Sequence, residues 1–166
     1  LSTFNFQLPL VCTFHSLGVR IIRENSKLLG IPTHFSIMDK SDSLKLIKDA
    51  MDGVGVDKKG FDPAMIQSHI SREKGGGVTL TQFEEKISDE RIPTIVGSVW
   101  KRYEAMLLKE KALDFDDLLL KTATLLRENN LVREHYQKVW KYIHIDEYQD
   151  TNRVQYLIAK YLAEKN

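Results

Sequence analysis

Ile143-His144-Ile145-Asp146-Glu147-Tyr148-Gln149-Asp150-Thr151-Asn152 sets a pair of acids at the end of a short β-prone run that begins at Tyr142. In open parallel sheets, strands deliver side chains into a crevice beyond their carboxyl ends, and ligands bind there. A carboxylate at Asp146 can hold Mg²⁺, a hard cation that takes oxygen ligands and keeps several waters. A second at Glu147 can orient or deprotonate a water attacking a γ-phosphate. The plainer alternative is a pair of solvated loop acids. Asp150, Thr151 and Asn152 are turn and capping residues in any case, and Asn152 suits the N-cap of the helix that follows.

Working outward, residues 153–163 carry Val154, Leu157, Ile158 and Leu162 at helical spacing. At the opposite end, residues 8–14 are apolar and β-branched and predict a buried strand, followed by a helix over residues 15–29 that Gly30 stops. From residue 35 to about residue 133 the signals are nearly all helical. Ser41 is placed to cap one helix, Asp62-Pro63 opens another, and Gly75-Gly76-Gly77 breaks the chain. Thr81 and Glu84 match a capping box. Pro93 starts the longest helix, with a stripe of Ile95, Val99, Tyr103, Met106 and Leu107 that ends near Lys111; Asp114 caps the next, and one more ends near Val139. Strand and helix, a helical excursion, then strand and helix again predict an α/β, predominantly helical chain with an inserted all-helical subdomain. The boundaries expected are 1–34, 35–112 and 113–166.

Composition sets few limits. With 166 residues, 42% of them apolar, there is material for one domain or two small lobes. Lys plus Arg (24) nearly balance Asp plus Glu (23), so the net charge of +1 is no argument for nucleic acid. The single cysteine, Cys12, excludes an intrachain disulfide and reads as a buried thiol in a reducing compartment. No apolar stretch nears the roughly 20 residues of a membrane span, nor is there a basic-then-apolar leader, so a soluble cytoplasmic protein with no membrane partner is expected. The start at Leu1, and the close at Asn166 with an amphipathic pattern still running, read as those of an excised segment. Lys58-Lys59, Arg72 with Lys74, and Lys101-Arg102 read as solvated surface, Asp114, Asp116 and Asp117 as cap and first-turn acids, and Trp100 and Trp140 as packing residues. The histidines show no zinc spacing.

The run through Asn152 resembles motif II, the Walker B segment, of the UvrD/Rep/PcrA-like superfamily 1 DNA helicases: an apolar strand followed by D-E-[FY]-Q-D-T-N. Thr13-Phe14-His15-Ser16 is similar to the family's T-F-H-S segment, motif Ib. Leu113-Asp114-Phe115-Asp116-Asp117-Leu118 resembles the L-D-F-D-D-L run that precedes motif II, and Phe35-Ser36-Ile37-Met38-Asp39 the lead-in to the helical 1B subdomain. The resemblance implies a partial RecA-like P-loop NTPase domain with an inserted helical subdomain. It implies that Asp146 ligates the Mg²⁺ of ATP, that Glu147 acts as base toward the attacking water, and that Gln149 links the nucleotide to the DNA site. It also implies that Thr13, Phe14, His15 and Ser16 touch single-stranded DNA. On the residues alone, Phe14 reads as core, Ser16 as a cap and His15 as a satisfied polar residue, although a strand-to-helix junction also favours phosphate.

A phosphate-cradling G-x-x-x-x-G-K-[ST] loop is missing, since Gly75-Gly76-Gly77 runs into Val78-Thr79 without a lysine. The resemblance therefore implies an intact parent, an ATP-dependent 3′–5′ DNA helicase of repair or replication. That parent would use ATP and Mg²⁺, act on single-stranded DNA and single-strand/duplex junctions, and associate with the nucleoid, with room for other, unidentified repair or replication proteins as partners. The segment alone would be inactive. Two alternatives stand beside this reading: the helicase lobe of a helicase-nuclease, and a non-catalytic helical binding module.

Overall fold

The structure is a computed structural model that describes residues 9–87 and 90–164. Helix α1, Phe14–Glu24, starts where the Thr13 side chain accepts from the Ser16 amide, and α2, Ser26–Leu29, stops at Gly30 in the left-handed region (φ 64). Strand β1, Ser36–Met38, leads into four helices: α3 (Lys40–Gly53), α4 (Pro63–Gly75), α5 (Leu80–Glu84) and α6 (Arg91–Lys109). Strand β2, Ala112–Asp114, then feeds α7 (Phe115–Glu128), α8 (Asn130–Val139), a 3₁₀ turn at Tyr148–Asp150, and α9 (Arg153–Ala163).

The strands pair in parallel, Ser36 opposite Ala112, Ile37 opposite Leu113 and Met38 opposite Asp114. Parallel neighbours need a long crossover, and helices α3 to α6 supply it. Those helices enclose their own core, in which Ile47, Met51, Ile66, Val99, Trp100 and Tyr103 are at most 1% exposed. Outside the strand pair lies a second core of Ile21, Leu119, Leu126, Val132, Tyr136, Val154, Ile158 and Leu162. Ile22, Phe35, Leu113 and Leu118 form a small cluster beside β2. Each fully buried aliphatic side chain contributes about 1.5–3 kcal/mol. Helices α1 and α7 approach closely at Gly18, where an added Cβ would lie 2.7 Å from the Leu118 carbonyl oxygen.

Several expectations are corrected. Residues 9–13 are not a strand: Val11 is 88% exposed, the predicted buried thiol of Cys12 is exposed, and Phe14 already begins α1. Leu8 lies outside the described residues. Residues 142–145 form no strand either; Tyr142 is 87% exposed, and only Ile143 packs against the second core. A strand exists through the ladder of a neighbour, and among the described residues these two runs pair with nothing, the one ladder being β1 with β2. The caps of α3 and α5 sit two residues earlier than expected. Asp39, not Ser41, accepts from the Asp42 amide, and the capping box joins Thr79 and Gln82, not Thr81 and Glu84. Lys74, read as solvated, is fully buried. No helix among the described residues is long and apolar enough to cross a membrane.

Candidate nucleotide and nucleic-acid sites

The acidic run is a tight turn. Glu147 has φ 47 and ψ 43, a left-handed conformation costing an L-residue roughly 1–2 kcal/mol. Three hydrogen bonds hold it there: the Glu147 amide donates to Asp146 Oδ1 (3.0 Å), the Gln149 side-chain amide donates to the Glu147 carboxylate, and the Asp150 amide donates to the Glu147 carbonyl (2.9 Å). The Thr151 hydroxyl donates to the Tyr148 carbonyl (2.8 Å), and Asn152 and Gln155 cap α9 reciprocally. Asp146, Glu147 and Gln149 are brought together by these bonds, and all are exposed. The donor set suits a strongly hydrated divalent cation: solvated carboxylate oxygens with room for water. Among the described residues no three His, Cys, Asp or Glu side chains gather as a cage, so an ion here would rest on one or two carboxylates, completed by water and phosphate oxygens.

The other expected site lies at the start of α1. The Thr13 side chain accepts from the Ser16 amide (3.2 Å) and its hydroxyl donates to Ser16 Oγ (3.1 Å), so the two hydroxyls sit side by side at an exposed helix N-terminus. Phe14 turns inward against the second core. His15 is half-buried, its ring edge-on to Phe115 at 5.3 Å and 80°. Burial pulls the His15 imidazole below its ordinary value, and the Asp116 charge opposes that shift.

Phe115 was not anticipated. It is 47% exposed at the first position of α7 and joins His15 to a groove of about 710 Å³. Lys40, Gln67, Ser71, Arg72, Asp116 and Asn152 also line that groove. The one signal in the sequence is a large apolar residue among three acids, where a helix start ordinarily carries polar groups.

The UvrD/REP helicase N-terminal domain model matches residues 2–166. The chain belongs to that family. The ATP-dependent DNA helicase PcrA of Bacillus subtilis (strain 168) is 43% identical over 157 residues, 93% of this chain and 21% of the relative. PcrA of Staphylococcus epidermidis (strain RP62A) is 38% identical over 159 residues, covering 96% and 22%, and PcrA of Staphylococcus aureus (strain Mu50) is 39% identical over 153 residues, covering 92% and 21%. The chain thus spans about a fifth of the length of these curated relatives.

In this UvrD/REP domain, the acids before and after Phe115 meet a lysine from the crossover helices. Lys74 Nζ donates to Asp117 Oδ1 (2.7 Å) and Asp114 Oδ2 (2.9 Å), and lies 3.2 Å from Glu104 Oε1. The Tyr103 hydroxyl donates to the same Asp114 oxygen (2.9 Å), while Asp114 and Asp117 also form the capping box of α7. Burial alone would depress the Lys74 ammonium, but the Asp117, Asp114 and Glu104 carboxylates outweigh it and hold the amine charged. Burial, then repulsion from Asp117, pushes the Asp114 carboxyl up to about 6. Asp117 is held below its ordinary value, its burial outweighed by the charges of Lys74 and Lys121. Asp114 keeps its expected capping role and Asp117 its place in the first turn, where it completes the capping box, and the two add a buried ion pair. No local signal could have disclosed it, because Lys74 is far from both in sequence.

Proposed function

We propose that this chain is the part of an ATP-dependent 3′–5′ DNA helicase that carries the hydrolytic carboxylates and one edge of the DNA track, in a protein of repair or replication. The observation that carries the reading is the Glu147 turn: a non-glycine residue kept in a costly left-handed conformation by Asp146 and Gln149, in a run matching the family's motif II. Asp146 is the Mg²⁺ ligand, Glu147 accepts the proton of the attacking water, and Gln149 fixes the direction of Glu147. Bound Mg²⁺ supplies charge neutralisation on the phosphates of ATP. Residues 1–34 and 113–166 belong to a RecA-like domain, and 35–112 to the inserted helical subdomain. Two separate cores joined at the β1–β2 pair support that division.

DNA lies along the start of α1. The amides of its first turn and the hydroxyls of Thr13 and Ser16 face the phosphate backbone, and Phe14 anchors the helix behind them. The exposed Phe115 ring, braced by His15, offers a face on which a base stacks, an interaction worth about 1–3 kcal/mol and tolerant of sequence.

The test is DNA-stimulated ATP hydrolysis by the full-length protein containing this chain, with and without Glu147→Gln. Loss of the base should lower kcat by about 10²–10⁴-fold while leaving ATP binding in place. A wild type without turnover, or a Glu147→Gln protein as fast as the wild type, would overturn the reading.

A further inference from the structure

Asp114 and Asp117 stand one helical turn apart with Phe115 and Asp116 between them, and both bind one buried ammonium from a different part of the chain. The first turn of α7 is thereby tied to α4, and on that turn the half-exposed Phe115 lines the groove with its ring edge-on to His15. Lys74 itself sits near the end of α4, whose Arg72 and Gly75 line the same groove together with the C-cap residue Gly76. Stability is a weak reason for this cluster, because apolar replacements of a buried ion pair are often as stable or more so. What the charges provide that a greasy contact does not is direction: hydrogen bonds of 2.7 and 2.9 Å to two particular oxygens.

We propose that Lys74 is a positioning residue for the DNA track: by gripping Asp114 and Asp117 it sets the first turn of α7 and keeps Phe115 braced against His15. The link from Phe115 to DNA rests on the function proposed above; the link from Lys74 to Phe115 does not.

The experiment compares the full-length wild-type protein containing this chain with Lys74→Met and with the triple variant Lys74→Met/Asp114→Asn/Asp117→Asn, in which asparagines keep a capping oxygen and neither buried aspartate charge is stranded, only the half-buried Glu104 losing its ammonium. If the single variant unfolds, the triple variant carries the comparison. Thermal unfolding verifies the fold. The NMR resonances of the His15 ring, without DNA, report the contact with Phe115. Fluorescence anisotropy of a labelled oligothymidine reports binding, with Phe115→Ala as reference.

In the folded triple variant the His15 ring resonances should move toward those of an exposed histidine, and Kd for oligothymidine should rise at least about tenfold, as in Phe115→Ala. A folded triple variant with wild-type His15 resonances overturns the positioning role, whatever the DNA result. Displaced His15 resonances together with an unchanged Kd in both the triple variant and Phe115→Ala uphold the positioning of Phe115 and overturn its assignment to DNA.

Discussion

Asp114 and Asp117 share a lysine and yet titrate apart, which makes them the most informative carboxyls in the chain. Burial and the Asp117 charge raise Asp114 from 3.8 to about 6, whereas Asp117 lies below its ordinary value. A carboxyl raised on folding contributes stability that is present below its unfolded value and lost as pH rises through its folded one. Asp114 therefore favours the fold more as pH falls from about 6 toward 3.8. Asp117 acts oppositely, its contribution fading only below its ordinary value. The side-chain ¹³C resonance of Asp114 should titrate near 6, and Asp117→Asn should bring that midpoint down by removing the neighbouring charge. An unchanged midpoint would show burial acting alone. At this scale the grouping of Asp146, Glu147 and Gln149 in one turn was readable because the three stand together in the sequence. The left-handed backbone of Glu147 was not, since nothing in a glutamate announces it. Lys74 was misread for a related reason: exposure depends on what packs around a residue, and its partners lie in remote segments.

Helices were more legible than strands because a helix satisfies its backbone within its own segment, whereas a strand waits on another. The Asp62-Pro63 start, the Asp114 cap, the Gly30 stop and the span of α9 follow from local chemistry. The caps of α3 and α5 were misplaced because Ser, Thr and Asp crowd both starts, and a difference of two residues is decided by the rotation at which the apolar face meets the core. Gly18 shows a constraint of another kind. Its missing Cβ lets α1 lie on the backbone of α7, so Gly18→Ala should drive the two helices apart and destabilise the chain by about 1–3 kcal/mol in urea unfolding. Despite the better helix propensity of alanine, no gain is expected; a more stable variant would mean that α1 tilts freely on α7.

The two cores meet through the strand pair, the α4–α7 and α4–α9 packing and the Lys74 ion pairs. Trp100 sits in one core and Trp140, stacked on Tyr136 at 4.8 Å, borders the other. In Trp140→Phe the fluorescence of Trp100 reports the crossover helices alone, while far-UV circular dichroism reports every helix. Coincident urea transitions are expected from the buried ion pairs that join the halves; an earlier Trp100 transition would mean the crossover helices melt as their own unit. The β1–β2 ladder itself is only Ser36–Met38 against Ala112–Asp114, with all of α3 to α6 between them in the chain. Such a small ladder returns little for closing so long a loop. The helices between the strands have a core of their own, so Ser36 is expected to pair with Ala112 after they condense, and during synthesis the acidic turn at Glu147 emerges only after the helices that close the ladder are already made.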